Sequence, residues 1–153
     1  MTEHLNIEIV PTVPAHLREL AGHMQDSTIE MAKKLGLTPR KALWRSFKQS
    51  LFCKTAIING KVGAIWGVAG ALFSEVGQPW LVMSPDVEEY PMRVAFAYRR
   101  EMREMQKMFP VLEDYVDETN HKAIRLLELM GFKLDKNEIT LGDAVLRRAV
   151  RRA

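Results

Sequence analysis

Four carboxylates in and just after one apolar segment are the side chains of this sequence best suited to proton transfer. Glu113, Asp114, Asp117 and Glu118 stand within VLEDYVDE. A carboxylate that lies close to an amine can take its proton as a general base, and Glu113 is our candidate for that role. The other interpretation is a solvated strand edge or a helix cap, because acidic residues are usually exposed.

A second group of candidates begins at Asn120, directly after these carboxylates. The segment NHKAIRLLELMGF starts with Asn120, continues through the small Ala123 and through Leu127, and ends in Gly131 and Phe132. Asn is a preferred residue at a helix start, and Gly is common just past a helix end. The segment is therefore predicted to be a helix, and a capping role alone would account for Asn120.

The other reactive side chains do not indicate a metal site or a nucleophile. The histidines share no metal-ligand spacing with cysteine or carboxylates, so no metal site is predicted. Cys53 lies in an apolar run, where a small buried thiol is expected. No serine stands in a G-x-S-x-G context, which removes the argument for a hydrolase.

Composition predicts one globular domain. The chain has 153 residues, 47% of them hydrophobic, which is enough for one sizeable core. It contains no apolar run near the ~20 residues of a membrane span, and its first residues lack the features of a signal peptide, so an intracellular protein is expected. The net charge is +3. Its basic excess concentrates at Arg147, Arg148, Arg151 and Arg152, which are either a solvated tail or a contact for an acidic partner.

Hydrophobic periodicity predicts an alternation of strands and helices. A strand over residues 5–11 precedes helices that occupy most of residues 14–51, the first of them from Pro14 to Met24. Two apolar runs then meet at Asn59 and Gly60, a dipeptide that favours a tight hairpin turn. We expect residues 77–79, Gly-Gln-Pro, to break the pattern before a short buried strand.

The second half of the chain continues in the same way. The predicted elements, in order, are a strand at residues 80–83, a helix at 91–109, a strand from 111, the helix from 120, a strand beginning FKL, and a strand over residues 144–151. The last of these also has helix-forming composition, because Ala, Leu and Arg favour helices. We predict a strand there. This order gives a mixed sheet with helices on both faces.

The element order and three segments resemble the GNAT superfamily of acyl-CoA N-acyltransferases. The segments are WLVMS at residues 80–84, FAYRREMREMQKMFPVLEDYV at 96–116 and TNHKAIRLLELMGFKL at 119–134. Within that group the chain is most similar to small GNAT-like proteins of short-tailed lytic phages, typified by an internal virion or virion-assembly protein. The resemblance covers residues 1–153 as a single domain. It implies an α/β fold with a mixed, mostly antiparallel central sheet, two splayed parallel central strands and helices on both faces.

The resemblance also implies a cofactor site. In a working enzyme of this group, acyl-CoA lies between the strand at Trp80 and the strand at Val111. Backbone groups at the end of the first strand would hold the pantetheine arm, a basic residue would assist the phosphates, and the helix start would contact the arm. The implied cofactor contacts are Val82, Met83, Arg93, Asn120 and Ala123. The implied cofactor is acetyl-CoA.

Two features depart from the usual pattern of that superfamily. The loop expected to hold the pyrophosphate, residues 84–94, contains no glycine and carries Asp86, Glu88 and Glu89. Each carboxylate close to the anion would cost on the order of 1 kcal/mol at the surface. Leu127 stands where the family has a Tyr, and Leu has no proton to give to a departing thiolate.

Three functional hypotheses follow from the sequence. The first is a non-catalytic GNAT-like phage protein that acts in virion structure or assembly, with other viral proteins as partners and the host cytoplasm or the virion as its location. The second is an N-acetyltransferase that moves an acetyl group from acetyl-CoA to an amine. The third is a nucleic-acid-contacting factor that uses the C-terminal arginines. Sequence-specific nucleic-acid binding has no support, because no aromatic RNA-binding pattern or zinc-finger spacing is present.

Overall fold

In this computed structural model, the described residues 6–24, 26–71 and 73–153 form one sheet of seven strands together with six helices. The strands are β1 (Ile7–Pro11), β2 (Ser50–Ile58), β3 (Lys61–Ala69), β4 (Val76–Met83), β5 (Val111–Asp117), β6 (Lys133–Leu141) and β7 (Ala144–Arg152). The helices are α1 (Pro14–Ala21), α2 (Asp26–Lys34), α3 (Pro39–Gln49), α4 (Pro85–Glu88), α5 (Pro91–Met108) and α6 (His121–Leu129). Leu5, the predicted first residue of the first strand, lies outside the described residues.

The sheet has the order β1-β2-β3-β4-β5-β7-β6. Only β4 and β5 pair in parallel, and every other neighbouring pair is antiparallel. The helix α5 connects the two parallel strands, as a parallel connection requires. The prediction of a mixed, mostly antiparallel sheet with two parallel central strands is confirmed.

Apolar side chains form a core on each face of this sheet. On one face, α5 and α6 pack through buried residues such as Met102, Met105 and Leu127. On the other face, α1 and α3 contribute Leu20 and Leu43. Helices therefore cover both faces, as the amphipathic patterns predict.

The β2–β3 hairpin follows from its two turn residues. Asn59 and Gly60 adopt φ values of 51° and 79°, which is the conformation that a two-residue turn of type I′ requires. The predicted hairpin is confirmed. Glycines further along β3 also let neighbours approach, because a Cβ on Gly67 would stand 2.7 Å from the main-chain oxygen of Phe52.

The prediction that residues 77–79 break the strand is wrong, because β4 runs through them. Pro79 pairs with Val68 of β3, and Gly77 leaves room for the Phe109 ring, which a Cβ on Gly77 would meet at 2.6 Å. Within an antiparallel pair, alternate residues direct their N–H groups to opposite sides. The Ser84 N–H donates to Gly63 O of β3. The main-chain N–H and C=O groups of the odd-numbered residues of β4 therefore point away from β3. The main chain of Pro79 therefore points toward β5. Because of this, its missing N–H removes no hydrogen bond between β4 and β3.

Two further boundaries differ from the predictions. Helix α1 ends at Ala21 and is capped by Gly22, although Met24 beyond it is still buried. Strand β6 extends from Lys133 to Leu141, well beyond the predicted FKL. Residues 144–152 form β7, so the predicted final strand is confirmed. None of the described helices combines the length and the apolar character of a membrane span.

Candidate functional site

The parallel strands β4 and β5 separate after only two paired positions. Val76 pairs with Val111 and Gly77 pairs with Leu112. The next residue of β4 that faces β5 is Pro79, which has no N–H to donate. The ladder ends there, and a wedge opens between the C-terminal parts of the two strands. We call this opening the wedge throughout.

The main chain of β4 offers hydrogen-bonding groups to the wedge at alternate residues. Because Ser84 is bonded to β3, the same alternation directs the N–H and C=O of Leu81 and Met83 away from β3. Val82 faces β3 with its main chain, and its side chain packs against the core beside α1 and α3. Of the two residues expected to hold a pantetheine arm, the geometry thus favours Met83, with Leu81 in place of Val82.

Three main-chain N–H groups of the loop after β4 donate hydrogen bonds within the loop itself. The Val87 N–H donates to Ser84 O at 3.2 Å, the Tyr90 N–H to Val87 O at 3.0 Å and the Val94 N–H to Tyr90 O at 3.0 Å. The N–H groups of Val87 and Tyr90 close the single turn of α4. Pro85 and Pro91 carry no N–H. A loop that holds phosphates needs several N–H groups pointing outward, and these three N–H groups are bonded within the loop instead.

The charge of this loop also disfavours an anion. Asp86 and Glu89 are exposed, which places their carboxylates in solution beside the start of α5. Arg93 is the basic residue predicted to compensate, and its guanidinium lies 5.7 Å from the centre of the Tyr90 ring. Such a cation–π contact is consistent with a fixed Arg93. The loop thus carries two exposed carboxylates and one guanidinium that lies over the Tyr90 ring.

The start of α6 places two further predicted contacts together. The Asn120 Oδ1 atom accepts a hydrogen bond from the Ala123 N–H at 3.1 Å, so Asn120 is the N-cap of the helix. Ala123 is half-buried and packs against the core. The capping interpretation explains both residues, and their contact with a cofactor stays a prediction. Leu127 is buried in the same core.

The candidate base Glu113 is held in an ion-pair network. Its carboxylate accepts from Arg148 Nε at 2.7 Å and from the Tyr115 hydroxyl at 3.0 Å. Arg148 also pairs with Asp135 at 3.1 Å. Both oxygens of this carboxylate are engaged, Oε1 with the Tyr115 hydroxyl and Oε2 with Arg148. We therefore assign Glu113 a structural role, in which its ion pair with Arg148 helps to connect β5 with β7 and β6.

Asp114 is a better candidate for the general base than Glu113, and it was not predicted from the sequence. It lies between the buried residues Leu112 and Val116 on the face of β5 that packs on α5 and α6. Burial raises the pKa of Asp114 to about 7, and the hydrogen bond from the Tyr115 N–H offsets part of that rise. The alternation of VLEDYVD would have placed it on the buried face.

Tyr98 of α5 packs against β4. Its hydroxyl donates to Trp80 O of β4 at 3.2 Å. Burial raises the pKa of Tyr98 well above its ordinary value, and the charge of Asp114 raises it further. The charge of Asp114 therefore acts on the Tyr98 phenol, whose hydroxyl is bonded to β4.

A cavity of about 1150 Å³ adjoins the loop and is lined in part by Leu81 and Met83, whose main chains face the wedge. Its walls come from β1 to β4, α1, α4 and α5, and include Met83, Ser84 and Arg93. Glu101 also lines it, and its carboxylate accepts from the Trp66 indole N–H and from Lys54, both at 3.2 Å. Within the part of the chain that the structure describes, no cluster of His, Cys, Asp and Glu could hold a metal ion.

Comparison with known proteins identifies the fold. No protein-family model and no curated protein matches the chain. A GNAT-family acetyltransferase from Streptococcus pneumoniae superposes with a TM-score of 0.61 at 13% identity, covering 96% of this chain and 99% of that one. A GNAT-family acetyltransferase from Bacillus anthracis gives a TM-score of 0.70 at 11% identity, covering 95% and 94%. The fold is that of the GNAT acetyltransferases.

A third similar structure contains a cofactor. The aminoglycoside acetyltransferase AAC(6')-Ib in complex with coenzyme A superposes with a TM-score of 0.67 at 14% identity, covering 96% of this chain and 95% of that chain. At such identities the similarity establishes the GNAT fold, and the activity has to be argued from the residues of this chain. The predicted GNAT fold is confirmed, and the resemblance to phage proteins stays a prediction.

Proposed function

We propose that the chain is a non-catalytic GNAT-fold protein of a tailed phage, acting in virion structure or assembly through protein contacts. The observation that carries this proposal is the loop after β4. The N–H groups of Val87 and Tyr90 are bonded inside the loop, and two of its residues are prolines. A CoA pyrophosphate would not find these two N–H groups free, and it would meet Asp86 and Glu89.

Exposed apolar side chains beside the loop support a role in protein contacts. Tyr90 is 41% exposed, Met92 52% and Phe96 64%. Met92 and Phe96 are four residues apart and thus lie on one face of α5. Adjacent exposed apolar side chains are a common feature of protein interaction sites. The assignment to a phage rests on the resemblance of residues 80–84, 96–116 and 119–134.

The decisive experiment on catalysis combines binding with turnover. Calorimetric titration with acetyl-CoA at low salt should give no binding heat, and an assay with a panel of primary amines should give no acetyl transfer. Folding of the same sample is checked by circular dichroism. Micromolar binding together with transfer to an amine would require the proposal to be abandoned.

The virion role needs its own measurement. Immunoblotting of density-gradient-purified phage particles and of assembly intermediates should detect the protein in at least one of the two fractions. Its absence from both fractions, while it is abundant in the infected cell, would contradict a role in structure or assembly. This result is independent of the acetyl-CoA experiment.

Asp114 favours a second candidate function, N-acyl transfer from acyl-CoA. A carboxyl group with a pKa of about 7 can accept a proton near neutral pH. The amine nitrogen would attack the thioester carbonyl carbon, the C–S bond would break, and Asp114 would take the amine proton. The thiolate would gain its proton from water, since Leu127 has none to give.

Two matched substitutions would test this second candidate. If transfer is detected, Asp114→Asn should reduce kcat by about 100-fold or more, in the range expected for loss of a general base. Glu113→Gln on the same strand should retain most of the activity. Equal loss in both variants, or none in Asp114→Asn, would exclude Asp114 as the base.

A further inference from the structure

Basic side chains gather where the C-terminal half of α5 meets the end of β7. A cavity of about 340 Å³ at this place is lined by Arg103, Gln106, Lys107, Arg151, Arg152 and Ala153. Arg99 lies one turn before Arg103 on α5. We call the set Arg99, Arg103, Lys107, Arg151 and Arg152 the basic cleft.

Arg151 is the fixed centre of the basic cleft. Its Nε donates to Met130 O at 3.0 Å, and its guanidinium also donates to Gln106 Oε1. The Gln106 amide in turn donates to Arg151 O at 3.2 Å. Burial lowers the pKa of Arg151, and the charges of Arg103 and Arg99 lower it further. The guanidinium is thus held in place among like charges.

The basic cleft has few counter-ions of its own. Lys107 pairs with Glu104 at 3.0 Å, and both side chains are exposed. Among the described residues, no carboxylate side chain forms an ion pair with the four arginines of the cleft. Repulsion among these like charges would decrease if an anion bound in the cleft.

The position and shape of the basic cleft separate it from the wedge. Arg103 is ten residues beyond Arg93 on α5, or about 15 Å along the helix axis. Arg99, Arg103 and Lys107 follow each other at four-residue spacing, which forms a row with steps of roughly 6 Å. A row of cations matches a chain of anionic groups better than one compact anion.

We propose that the basic cleft binds the phosphate backbone of a nucleic acid without reading its sequence. Guanidinium groups match phosphate oxygens with two parallel N–H donors, and contacts to phosphates carry no base information. An acidic protein fits less well, because the cleft has no large apolar or aromatic residue to anchor the centre of a protein interface. This inference does not depend on the proposed function.

The test uses fluorescence anisotropy with labelled single-stranded and duplex DNA, each in two unrelated sequences. The double variant Arg103→Ala/Arg152→Ala removes two cations and leaves the anchored Arg151 in place. Binding at low salt should weaken roughly tenfold, equally for both sequences, and the salt dependence should fall by about two phosphate contacts. The control is Arg40→Ala/Arg45→Ala, which removes two exposed arginines from α3 and should leave binding unchanged.

Four results would overturn the proposal. The first is the absence of DNA binding by the unaltered chain at about 50 mM salt. The second is equal weakening in the control variant, which would show that only net charge matters. The third is a difference between the two sequences that the cleft variant abolishes. The fourth is equally tight binding of a labelled poly-glutamate peptide, which would assign the cleft to acidic partners. Thermal unfolding of each variant confirms that it is folded.

Discussion

Asp114 places an ionisable group where its charged form is disfavoured. It lies between Leu112 and Val116 on the helix-facing side of β5. Its folded pKa of about 7 is well above the ordinary value of ~3.9 for an unfolded chain. The protonated carboxyl group is therefore favoured in the folded protein, and stability depends on pH through this residue.

The sign of that dependence gives a first prediction. Because the folded pKa is raised, the contribution of Asp114 is complete below about pH 4 and is lost as pH rises through about 7. Urea unfolding midpoints should fall between pH 5 and pH 8 in the unaltered chain, by an amount worth up to a few kcal/mol. Asp114→Asn should flatten this decline. A decline that persists unchanged in the variant would contradict the assigned pKa.

The sequence alone could predict the buried position of Asp114, but it could not predict the ion-pair partner of Glu113. The alternation in VLEDYVD was sufficient to place Asp114 with Leu112 on a buried face, although Glu113 was chosen as the candidate base. The partner of Glu113 could not be predicted, because Arg148 is 35 residues away and becomes its neighbour only through the pairing of β5 with β7. The pairing of β5 with β7 therefore decides that Glu113, and not the adjacent Asp114, forms the ion pair with Arg148.

Strand β4 shows how one proline shapes the wedge. Its parallel ladder with β5 stops at Gly77 and Leu112, just before Pro79. Gly77 and Gly70 both leave space for the Phe109 ring, because a Cβ at either position would come within 2.6 Å of it. The closed end of the wedge is therefore packed around one aromatic side chain.

A second prediction follows for Gly77. Gly77→Ala should lower the free energy of unfolding by about 1–3 kcal/mol, because the added methyl group overpacks against the base of the Phe109 ring. Urea denaturation measures the change. The matched control is Gly22→Ala, where a Cβ has a closest contact of 3.6 Å and stability should be nearly unchanged. Equal stability of the two variants would contradict this packing.

Helix α2 is tied to the end of β5 by one ion pair. Lys34 Nζ lies 2.7 Å from Asp117 Oδ2, and Asp117 also accepts from the Thr119 N–H and hydroxyl. The hydrogen bond from Lys34 is the main cause that lowers the pKa of Asp117 to about 2, and the bonds from Thr119 add to it. Asp117 therefore stabilises the fold above its unfolded pKa of ~3.9 and loses this effect as pH falls through about 2.

This geometry gives a third prediction. Asp117→Ala should cost about 1–3 kcal/mol at pH 7, because it removes several hydrogen bonds of a buried acceptor. The difference from the unaltered chain should shrink in unfolding experiments near pH 2. Glu118→Ala, an exposed neighbour, serves as the control and should be nearly neutral. A pH-independent cost for Asp117→Ala would show that the carboxylate charge is unimportant.

Elements with strong local signals were predictable, and elements set by tertiary contacts were not. The Asn59–Gly60 turn and the amphipathic helix α5 follow from local residue types. The continuation of β4 through Gly77 and Pro79 depends on Phe109 and on the divergence of β5, neither of which is local. The short helix α4 likewise forms inside a segment that the sequence suggested only as a loop.

The whole molecule combines a GNAT fold with a loop after β4 in which Asp86 and Glu89 are exposed. The wedge between β4 and β5 is present, and main-chain groups of Leu81 and Met83 face it. In the loop of residues 84–94, the N–H groups of Val87 and Tyr90 are bonded inside the loop, and Asp86 and Glu89 are exposed. The fold could be predicted from the element order, whereas the bonding of the Val87 and Tyr90 N–H groups inside the loop became visible only in the hydrogen bonds of α4.

Thermal unfolding with acetyl-CoA tests this central claim most directly. A ligand present at a hundred times its Kd stabilises a folded protein by roughly 2.7 kcal/mol, which for a domain of this size raises Tm by several degrees. We expect no shift in Tm up to millimolar acetyl-CoA at low salt. A saturable rise in Tm with a midpoint in the micromolar range would contradict the account and would show that the loop after β4 accepts the pyrophosphate.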